Sequence, residues 1–242
     1  MLLDHLVLVV DDLSSAISRF ESRGFTVTPG GTNGPTHNAL IVFSNDTYIE
    51  LIALQSSRAR LVMRMLRHFG LFALRRRLKN DLQTRLLGWM SGAQGLVDLC
   101  LRGTDLTEIN ELSPLSGMSL TDPVKFKRYR PDGVVVEWTL RGSNNLRQPF
   151  FIQDATPVDY RMPIGNARVH KNGALGISEV RVAEHITIST SNVQIQRDPA
   201  LHPESFSVTI LSELEVADHM QGPDFFNADI ALTPASAASQ RV

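Results

Sequence analysis

The chain repeats one set of landmark residues at a fixed interval, and this repeat limits the folds that it can adopt. The pattern of residues 5–28 returns 93 residues later, over residues 98–121. The matching pairs are His5 with Asp98, Leu6 with Leu99, Leu8 with Leu101, Asp12 with Asp105, Leu13 with Leu106, Gly24 with Gly117 and Thr28 with Thr121. Self-similarity at one offset indicates that a supersecondary unit has been duplicated.

Each copy reads as one strand, one helix and three further strands. In the first copy, the apolar run at residues 3–10 predicts a buried strand, and the helix that begins after Asp12 ends at Gly24. The next strands are predicted at 25–28, 38–43 and 47–54, with a glycine-rich loop at 29–35. The second copy has predicted strands at 126–130, 134–140 and 147–155, with the hairpin turn Pro131-Asp-Gly133.

Polar residues interrupt the apolar strands at positions that the two copies share. Because side chains alternate along a strand, His5 is expected on the same face as Leu3, Val7 and Val9. The last strands of the copies align best with Glu50 opposite Gln153, an offset of 103. An unpaired polar group costs a few kcal/mol to bury, so these positions are candidates for a site.

A helical segment lies between the copies and a small β unit follows them. Leu74, Leu78, Leu82 and Leu86 form an i, i+4 ladder that predicts one amphipathic helix, and residues 61–69 predict a shorter helix that ends near Gly70. Strands are predicted near 177–182, 186–195 and 205–211. The predicted division is therefore residues 1–55, 56–92, 93–165 and 166–242.

Composition excludes several classes of partner. The formal charge of −1, the 7% aromatic content and the lack of a recognition motif argue against nucleic acid. A single cysteine, Cys100, and the lack of a long apolar run predict a cytoplasmic protein with no membrane partner.

The segment from Arg58 to Arg85 departs from this average, with nine basic residues against Asp81 alone. Three interpretations stay open for it: a solvated helical face, a cover that attracts an anionic ligand, and a contact with a membrane surface or an acidic partner.

The sequence resembles the glyoxalase-like domain branch of the vicinal-oxygen-chelate superfamily, which includes glyoxalases, bleomycin-resistance proteins and extradiol dioxygenases. The similar stretches span roughly residues 3–180; they are DHLVLVV (4–10), GGTNGPTHNALIVF (30–43), TYIELIAL (47–54), RYRPDGVVVEW (128–138), RQPFFI (147–152) and HKNGALGI (170–177). The resemblance implies an α+β fold in which tandem βαβββ modules form a curled, mixed-sheet half-barrel cup. The inserted helical segment and the C-terminal β unit would be additions to this fold.

The resemblance also implies a metal site. Carried over by position, the ligands are His5, Glu50, Asp98 and Gln153, which would hold a divalent ion that acts as a Lewis acid, with Glu50 as the catalytic base. The second copy departs from the usual His or Gln plus Glu, since Asp98 is short and Gln153 is neutral. The alternative is that His5 and Glu50 bond to each other or to a water molecule, with no metal.

Five further residues are candidates to bind a ligand in the cup. They are His37, Asn38, Arg130, Trp138 and Phe151. Phe151 is expected to share the face of Gln153, whereas Phe150 is expected in the core on the outer side. Two of these residues also have a purely structural interpretation. Asn38 could cap a turn through backbone hydrogen bonds. An arginine and Trp138 could form a stacked pair on the surface.

These residues leave three functions open. The first is a metal-assisted lyase, isomerase or dioxygenase that acts on a small carbonyl or oxygen-rich compound. The second is a metal-free protein that sequesters a small molecule, as bleomycin-resistance proteins do. The third is an interaction module that uses the arginine-rich helices. The expected ligand is a small molecule, either neutral or anionic. The sequence does not decide whether the chain is an enzyme or whether it forms a homodimer.

Overall fold

The computed structural model describes residues 1–79, 81–103, 119–130, 132–143, 145–184, 186, 188–202, 205–215 and 217–238. The helices are α1 (Leu13–Ser22), α2 (Ser57–His68), α3 (Leu71–Leu78), α4 (Leu82–Ser91), α5 (Val158–Arg161) and α6 (Ala235–Ala238). The strands of the two copies are β1 (Leu2–Val9), β2 (Thr28–Asn33), β3 (Thr36–Val42), β4 (Tyr48–Leu54), β5 (Gly95–Arg102), β6 (Val124–Tyr129), β7 (Val135–Arg141) and β8 (Phe150–Asp154). The C-terminal strands are β9 (Ala174–Val182), β10 (Gln194–Arg197), β11 (Phe206–Ser212), β12 (Asp218–Gln221) and β13 (Asp229–Pro234).

The strands of the two copies form one curled sheet that is nearly closed as a barrel. Its order across the described residues is β2-β3-β4-β1-β5-β8-β7-β6, so each copy supplies four neighbouring strands in the same relative order. Within each copy the first and last strands are parallel, while β1 and β5 meet in antiparallel pairing at the centre. The predicted fold of two tandem modules around a cup is confirmed.

The central pairing has the local two-fold symmetry that a duplication requires. His5 lies opposite Cys100, and Val7 lies opposite Asp98. An offset of 93 converts His5 into Asp98 and Val7 into Cys100, so the symmetry operation exchanges these two pairs. The landmarks Asp105, Leu106 and Gly117 and the turn residue Pro131 lie outside the described residues.

Local sequence signals explain the start of the first copy, with two corrections. The Asp12 side chain accepts hydrogen bonds from the backbone of Ser14 and Ser15 and caps α1, as predicted. An irregularity at Asp4 breaks the alternation, so Leu3 packs in the outer core while His5 faces the cup. The predicted glycine-rich loop at 29–35 is instead largely strand β2, which pairs with β3.

The inserted segment forms three helices, and the prediction of one helix along the leucine ladder is wrong. α3 ends at Leu78, and α4 begins after Asp81, which accepts a hydrogen bond from the Thr84 amide and caps the new helix. Leu82 is consequently buried, whereas Leu78 is 78% exposed. Among the described residues, no helix combines the length and the apolar composition needed to cross a bilayer.

A second sheet, in the order β10-β9-β11-β13-β12, covers the outer face of the first copy. Asn45 donates to the carbonyl of Ile177, and Asn192 bonds both backbone groups of Leu3. The strand predicted at 186–195 is wrong, because the strand in this region is β10 at Gln194–Arg197. The large apolar cluster lies between the two sheets, and a smaller one lines the cup.

Candidate functional site

The concave face of the curled sheet encloses a cavity of about 640 Å³ between the copies and the inserted helices. Apolar side chains supply most of its walls. They include Leu40, Ile52 and Leu54 from the first copy, Val124, Phe126, Trp138, Leu140, Phe150 and Ile152 from the second, and Ala59, Val62, Met63, Leu82, Leu86, Leu87, Trp89 and Met90 from the inserted helices. This size and lining are typical of a pocket for a small organic ligand.

One polar cluster of the first copy faces this cavity and consists of His5, Asn38 and Glu50. Asn38 Nδ2 donates to Glu50 Oε1 at 2.5 Å, and His5 Nε2 lies 3.7 Å from Glu50 Oε2. A Cβ at Gly30 would lie 2.2 Å from Asn38 Oδ1, so glycine in β2 leaves the room that the amide needs. Glu50 is thus held at both oxygens by neighbours on β1 and β3, with 18% of its side chain exposed.

Aromatic rings fix the orientation of His5. Its ring stacks on Tyr48 with centroids 4.5 Å apart and meets the edge of Phe150 at 5.4 Å. Burial raises the pKa of the Tyr48 phenol well above its ordinary value, so this hydroxyl stays neutral. His5 Nδ1 lies 2.8 Å from Asp4 Oδ2, which assigns the proton of the neutral ring to Nδ1 and turns Nε2 toward the cavity.

Beside His5, Asp4 and Arg161 form a buried network that was not predicted from the sequence, and Arg161 also lines the cavity. Arg161 donates to both oxygens of Asp4, at 2.9 and 3.0 Å, and to both oxygens of Asp154, at 2.7 and 2.8 Å. It also donates to the Tyr48 hydroxyl at 2.7 Å. Although burial opposes ionisation, the charge of Arg161 and the hydrogen bond from His5 hold the pKa of Asp4 far below its usual range.

Asp98, the counterpart of His5 in the second copy, is bound by α4 instead of facing a ligand. Arg85 donates to its two oxygens from Nε and Nη2, each at 2.6 Å, and the Trp89 indole donates at 2.8 Å. Arg85 also donates to the Gln148 and Ser143 carbonyls. Asp98 therefore fastens the inserted helices to the second copy.

The structure reverses the predicted faces of β8. Val7 pairs with Glu50 in the first copy, and Cys100, the counterpart of Val7, pairs with Phe150 in the second. The counterpart of Glu50 is therefore Phe150, at an offset of 100, and not Gln153. Because the predicted offset differs by an odd number of residues, every side chain moves to the other face. Phe150 lines the cup, whereas Phe151 lies in the outer core.

The structure therefore does not bring His5, Glu50, Asp98 and Gln153 together around one point. His5 and Glu50 meet, Asp98 is engaged by Arg85, and Gln153 lies on the face of β8 opposite Phe150 and Ile152. Apolar residues occur on both faces of β8, so the alternation fits two alignments of the copies that differ by three residues. The alignment that paired Glu50 with Gln153 was wrong, because the structure pairs Glu50 with Phe150.

Among the predicted ligand-binding residues, Asn38 and Trp138 line the cavity, and Trp138 stacks on Phe126 with ring centroids 5.9 Å apart. His37 lies between the lining residues Thr36 and Asn38 on β3, so its side chain points to the other face. Arg130 bonds Asp132 and the Tyr160 carbonyl outside the cavity. The neighbouring Arg128 lines the cup and bonds the Gly30 carbonyl at 2.8 Å, which joins edge strands β2 and β6.

The residues near His5 do not suit the divalent metal that the sequence resemblance implied. Asp4, His5 and Cys100 offer three donor atoms within 4.8 Å of one another. Arg161 and Arg102 already place two guanidinium groups on Asp4, and burial raises the pKa of the Cys100 thiol well above its ordinary value. A metal binds the thiolate and is repelled by the two cations, so this donor set does not fit a divalent ion.

Sequence signals for the missed residues were weak. Asp4 adjoins His5, but the irregularity that turns both inward has no sequence signature. Arg161 lies in a short helix, 157 residues from Asp4, and nothing in its neighbourhood marks it as buried. Asp81 followed three residues later by Thr84 is a recognisable N-terminal helix signal. A helix that begins there contains both Arg85 and Trp89, which lie four residues apart and therefore share one face.

Comparison with known proteins identifies the fold and the family. No curated protein matches the chain. A hypothetical protein from Staphylococcus aureus is 17% identical with a TM-score of 0.67, and the alignment covers 96% of this chain and 98% of that one. Methylmalonyl-CoA epimerase from Mycobacterium tuberculosis is 15% identical with a TM-score of 0.39, over 64% of this chain and 89% of that one. A hypothetical protein from Bacillus halodurans C-125 is 11% identical with a TM-score of 0.38, over 64% and 94%. Residues 3–192 match the glyoxalase-like domain family, and the chain belongs to this family.

Proposed function

We propose that the chain binds one small, largely apolar molecule in the cup without a metal ion. The observation that carries this proposal is the cavity of about 640 Å³, whose walls are mainly aliphatic and aromatic while His5, Asn38 and Glu50 form one polar cluster. Such a pocket gains affinity from apolar burial and selects its ligand through a few polar contacts. The proposal corresponds to the sequestering function of a bleomycin-resistance-like protein.

The polar groups define the chemistry of the ligand. Glu50 is an acceptor whose two oxygens face Asn38 and His5, so a ligand hydroxyl or N–H group fits beside it. Arg128 lines the cavity, and its buried Nε makes no hydrogen bond among the described residues. We therefore expect a flat apolar body, matched to Trp138 and Phe126, with a donor group near Glu50 and an acceptor near Arg128.

A titration with three related probes tests this proposal. Naphthalene, 2-naphthol and 2-naphthoate share one apolar body and carry no polar group, a donor and an anion, respectively. Isothermal titration calorimetry should give tightest binding for 2-naphthol, and Glu50→Gln should weaken it about tenfold, as for loss of one charge-assisted hydrogen bond. Absence of binding for all three probes, or equal affinity of naphthalene and 2-naphthol, would contradict the proposal.

Tryptophan emission gives the location of the bound ligand. The chain has two tryptophans, Trp89 and Trp138, and both line the cup. A saturable change in emission that follows the calorimetric affinity places the ligand there, and Trp138→Phe should reduce the change. Added chelator should leave the affinity unchanged, since the proposed contacts use protein groups alone.

The Asp4–His5–Glu50 chain favours a second candidate, metal-independent proton transfer. Asp4 holds Nδ1 of His5, so Nε2 faces the cavity beside Glu50, and this arrangement suits removal of a proton from an activated C–H group. Once a ligand is known, its exchange with deuterium oxide can be followed by mass spectrometry. Exchange that is lost in Glu50→Gln while binding persists would favour this candidate over sequestration.

A further inference from the structure

The inserted helices α2 and α3 place apolar side chains on the protein surface in a regular pattern. On α2 and directly after its end, Leu61, Met65 and Phe69 follow Arg58 at helical spacing, and on α3 the spacing is Leu71, Leu74 and Leu78. Each of these six apolar side chains is between 48% and 78% exposed. Neither fully described helix contains a buried residue. An exposed apolar stripe that continues over two neighbouring helices is typical of a docking surface.

The inner faces of these helices are already used, which separates the exposed stripe from ordinary core packing. Ala59 and Met63 pack against the cup cluster, and Phe72 of α3 contacts α4, since a Cβ at Gly88 would lie 2.9 Å from its ring. The exposed stripe is therefore a second apolar face of the same helices. We call this stripe, together with the exposed arginines beside it, the α2–α3 surface.

The charge around the stripe is positive. Residues 51–80 contain no aspartate or glutamate. The nearby carboxylates are already paired, Asp11 with Arg60 and Arg64, and Asp81 with Arg75 and Lys79. Arg58, Arg76 and Arg77 are exposed and have no carboxylate partner among the residues that the structure describes. The α2–α3 surface thus combines bulky apolar groups with uncompensated cations.

We propose that the α2–α3 surface docks on an anionic lipid bilayer. Aliphatic and aromatic side chains beside arginines suit the boundary between acyl chains and headgroups, where the chain lies on the membrane without crossing it. The turn at Gly70 (φ +74°) projects Phe69, which is 70% exposed, together with Leu71. This proposal replaces the expectation of no membrane partner, and it does not depend on what the cup binds.

Charge complementarity favours a lipid surface over a second copy of the chain. A symmetric dimer through this surface would bring Arg58, Arg76 and Arg77 of the two copies toward each other, and like charges oppose such an interface. An anionic bilayer supplies negative charge over the whole length of both helices and requires no matching groove. Each arginine near such a surface strengthens binding about fivefold.

Vesicle sedimentation with the full chain tests the proposal. The probes are vesicles of phosphatidylcholine and vesicles of a three-to-one mixture of phosphatidylcholine and phosphatidylglycerol. We expect binding to the mixed vesicles, weaker binding to neutral ones, and loss of binding at high salt. Arg76→Gln/Arg77→Gln should weaken binding about twenty-five-fold, and Phe69→Ser/Leu78→Ser at least tenfold.

A matched control changes similar groups elsewhere on the surface. Ile164 and Val169 are 64% and 67% exposed, and Lys171 is exposed beside them. Ile164→Ser/Val169→Ser/Lys171→Gln should bind the mixed vesicles like the unsubstituted chain. Because the substituted residues in all variants are exposed, far-ultraviolet circular dichroism and unfolding temperature should stay unchanged and show that each variant is folded.

Three results would overturn the proposal. The first is absence of binding to mixed vesicles, and the second is equal weakening in the test and control variants. The third is a dimer, detected by sedimentation equilibrium, that Phe69→Ser/Leu78→Ser abolishes while vesicle binding is absent. That last result would assign the surface to a second copy of the chain.

Discussion

The two copies of the βαβββ module share one fold but differ in what they present to the cup. The first copy presents His5 and Glu50, which lie 3.7 Å apart and face the cavity. The second copy has Asp98 and Phe150 at the corresponding positions. Asp98 accepts hydrogen bonds from Arg85 and Trp89 of α4, and Phe150 forms part of the apolar wall.

This difference shows how a duplicated half-barrel divides its tasks. The acid–base pair of the cup, His5 and Glu50, belongs to the first copy and is backed by Asp4 and Arg161. The polar group that the second copy adds to the cup is the guanidinium of Arg128. The second copy supplies aromatic surface and anchors the inserted helices that cover the cavity. The resemblance implied four ligands from two symmetric halves, whereas His5 and Glu50 lie together on one side of the cup. We call this arrangement the one-sided cup.

The largest expected effect comes from breaking the anchor in the second copy. Arg85 is 1% exposed, and Arg85→Met leaves the Asp98 carboxylate buried without its cation. We expect this change to lower the free energy of unfolding by about 3–5 kcal/mol, measured by chemical denaturation with urea. Arg85→Met/Asp98→Leu should regain most of this loss, because an apolar pair needs no compensation. A double variant as unstable as the single one would show that Asp98 does not depend on Arg85 as described.

The corresponding residues Glu50 and Phe150 provide the next comparison. Glu50→Gln should leave the free energy of unfolding within about 0.5 kcal/mol, because the amide keeps an acceptor for Asn38. It should weaken 2-naphthol binding about tenfold. Phe150→Leu should show the reverse, with about 1 kcal/mol of lost stability and a smaller change in affinity. If both variants behave alike, the two copies do not differ in role.

A third difference is that a buried histidine from the segment after α5, His170, forms hydrogen bonds with the first copy. His170 Nδ1 accepts from the Thr26 amide at 2.9 Å, so its Nε2 donates to the Val42 carbonyl. Burial lowers the pKa of His170. In the unfolded chain the imidazole takes up a proton near its ordinary pKa of about 6.5, while in the folded chain it does so only at lower pH. The free energy of unfolding should therefore fall as pH decreases below about 6.5.

Thermal unfolding at a series of pH values measures this dependence. His170→Gln should flatten it, whereas His68→Gln, on the exposed helix α2, should leave it as in the unsubstituted chain. Equal flattening in both variants would assign the pH dependence to a different group.

The smallest effect is expected at Arg130, which sequence analysis placed in the ligand site. Its guanidinium bonds Asp132 outside the cavity, so Arg130→Gln should change stability by less than about 0.5 kcal/mol and leave 2-naphthol affinity unchanged. Arg128→Gln, two residues away, removes the bond to the Gly30 carbonyl and should weaken binding severalfold. The two titrations, run in parallel, decide which arginine faces the ligand.

Sequence alone established the architecture because duplication is a long-range signal. The offset of 93 and the alternating strands identified the two modules, and their order in the sheet follows from the family fold. The cap at Asp12 and the stop at Gly24 were readable because they depend on neighbouring residues only. The helix break at 79–81 was equally local, but the leucine ladder concealed it.

The site was only partly predictable, because it depends on which face each strand turns inward. A single irregularity at Asp4 and a shift of three residues in β8 decide this, and apolar alternation fits either frame. His5, Glu50, Asn38 and Trp138 lie where they were expected, at the cup. The partners of Asp98 and Asp4 come from helices outside the repeat, so no comparison of the two copies reveals them.

The most direct test of the one-sided cup is the metal content of the purified chain. Protein prepared without chelator and analysed by inductively coupled plasma mass spectrometry should carry far less than one divalent ion per chain, before and after incubation with Zn²⁺, Mn²⁺ or Mg²⁺ and gel filtration. One ion per chain that is lost in both His5→Gln and Glu50→Gln, and kept in Gln153→Ala, would contradict the account and restore a metal centre to the first copy.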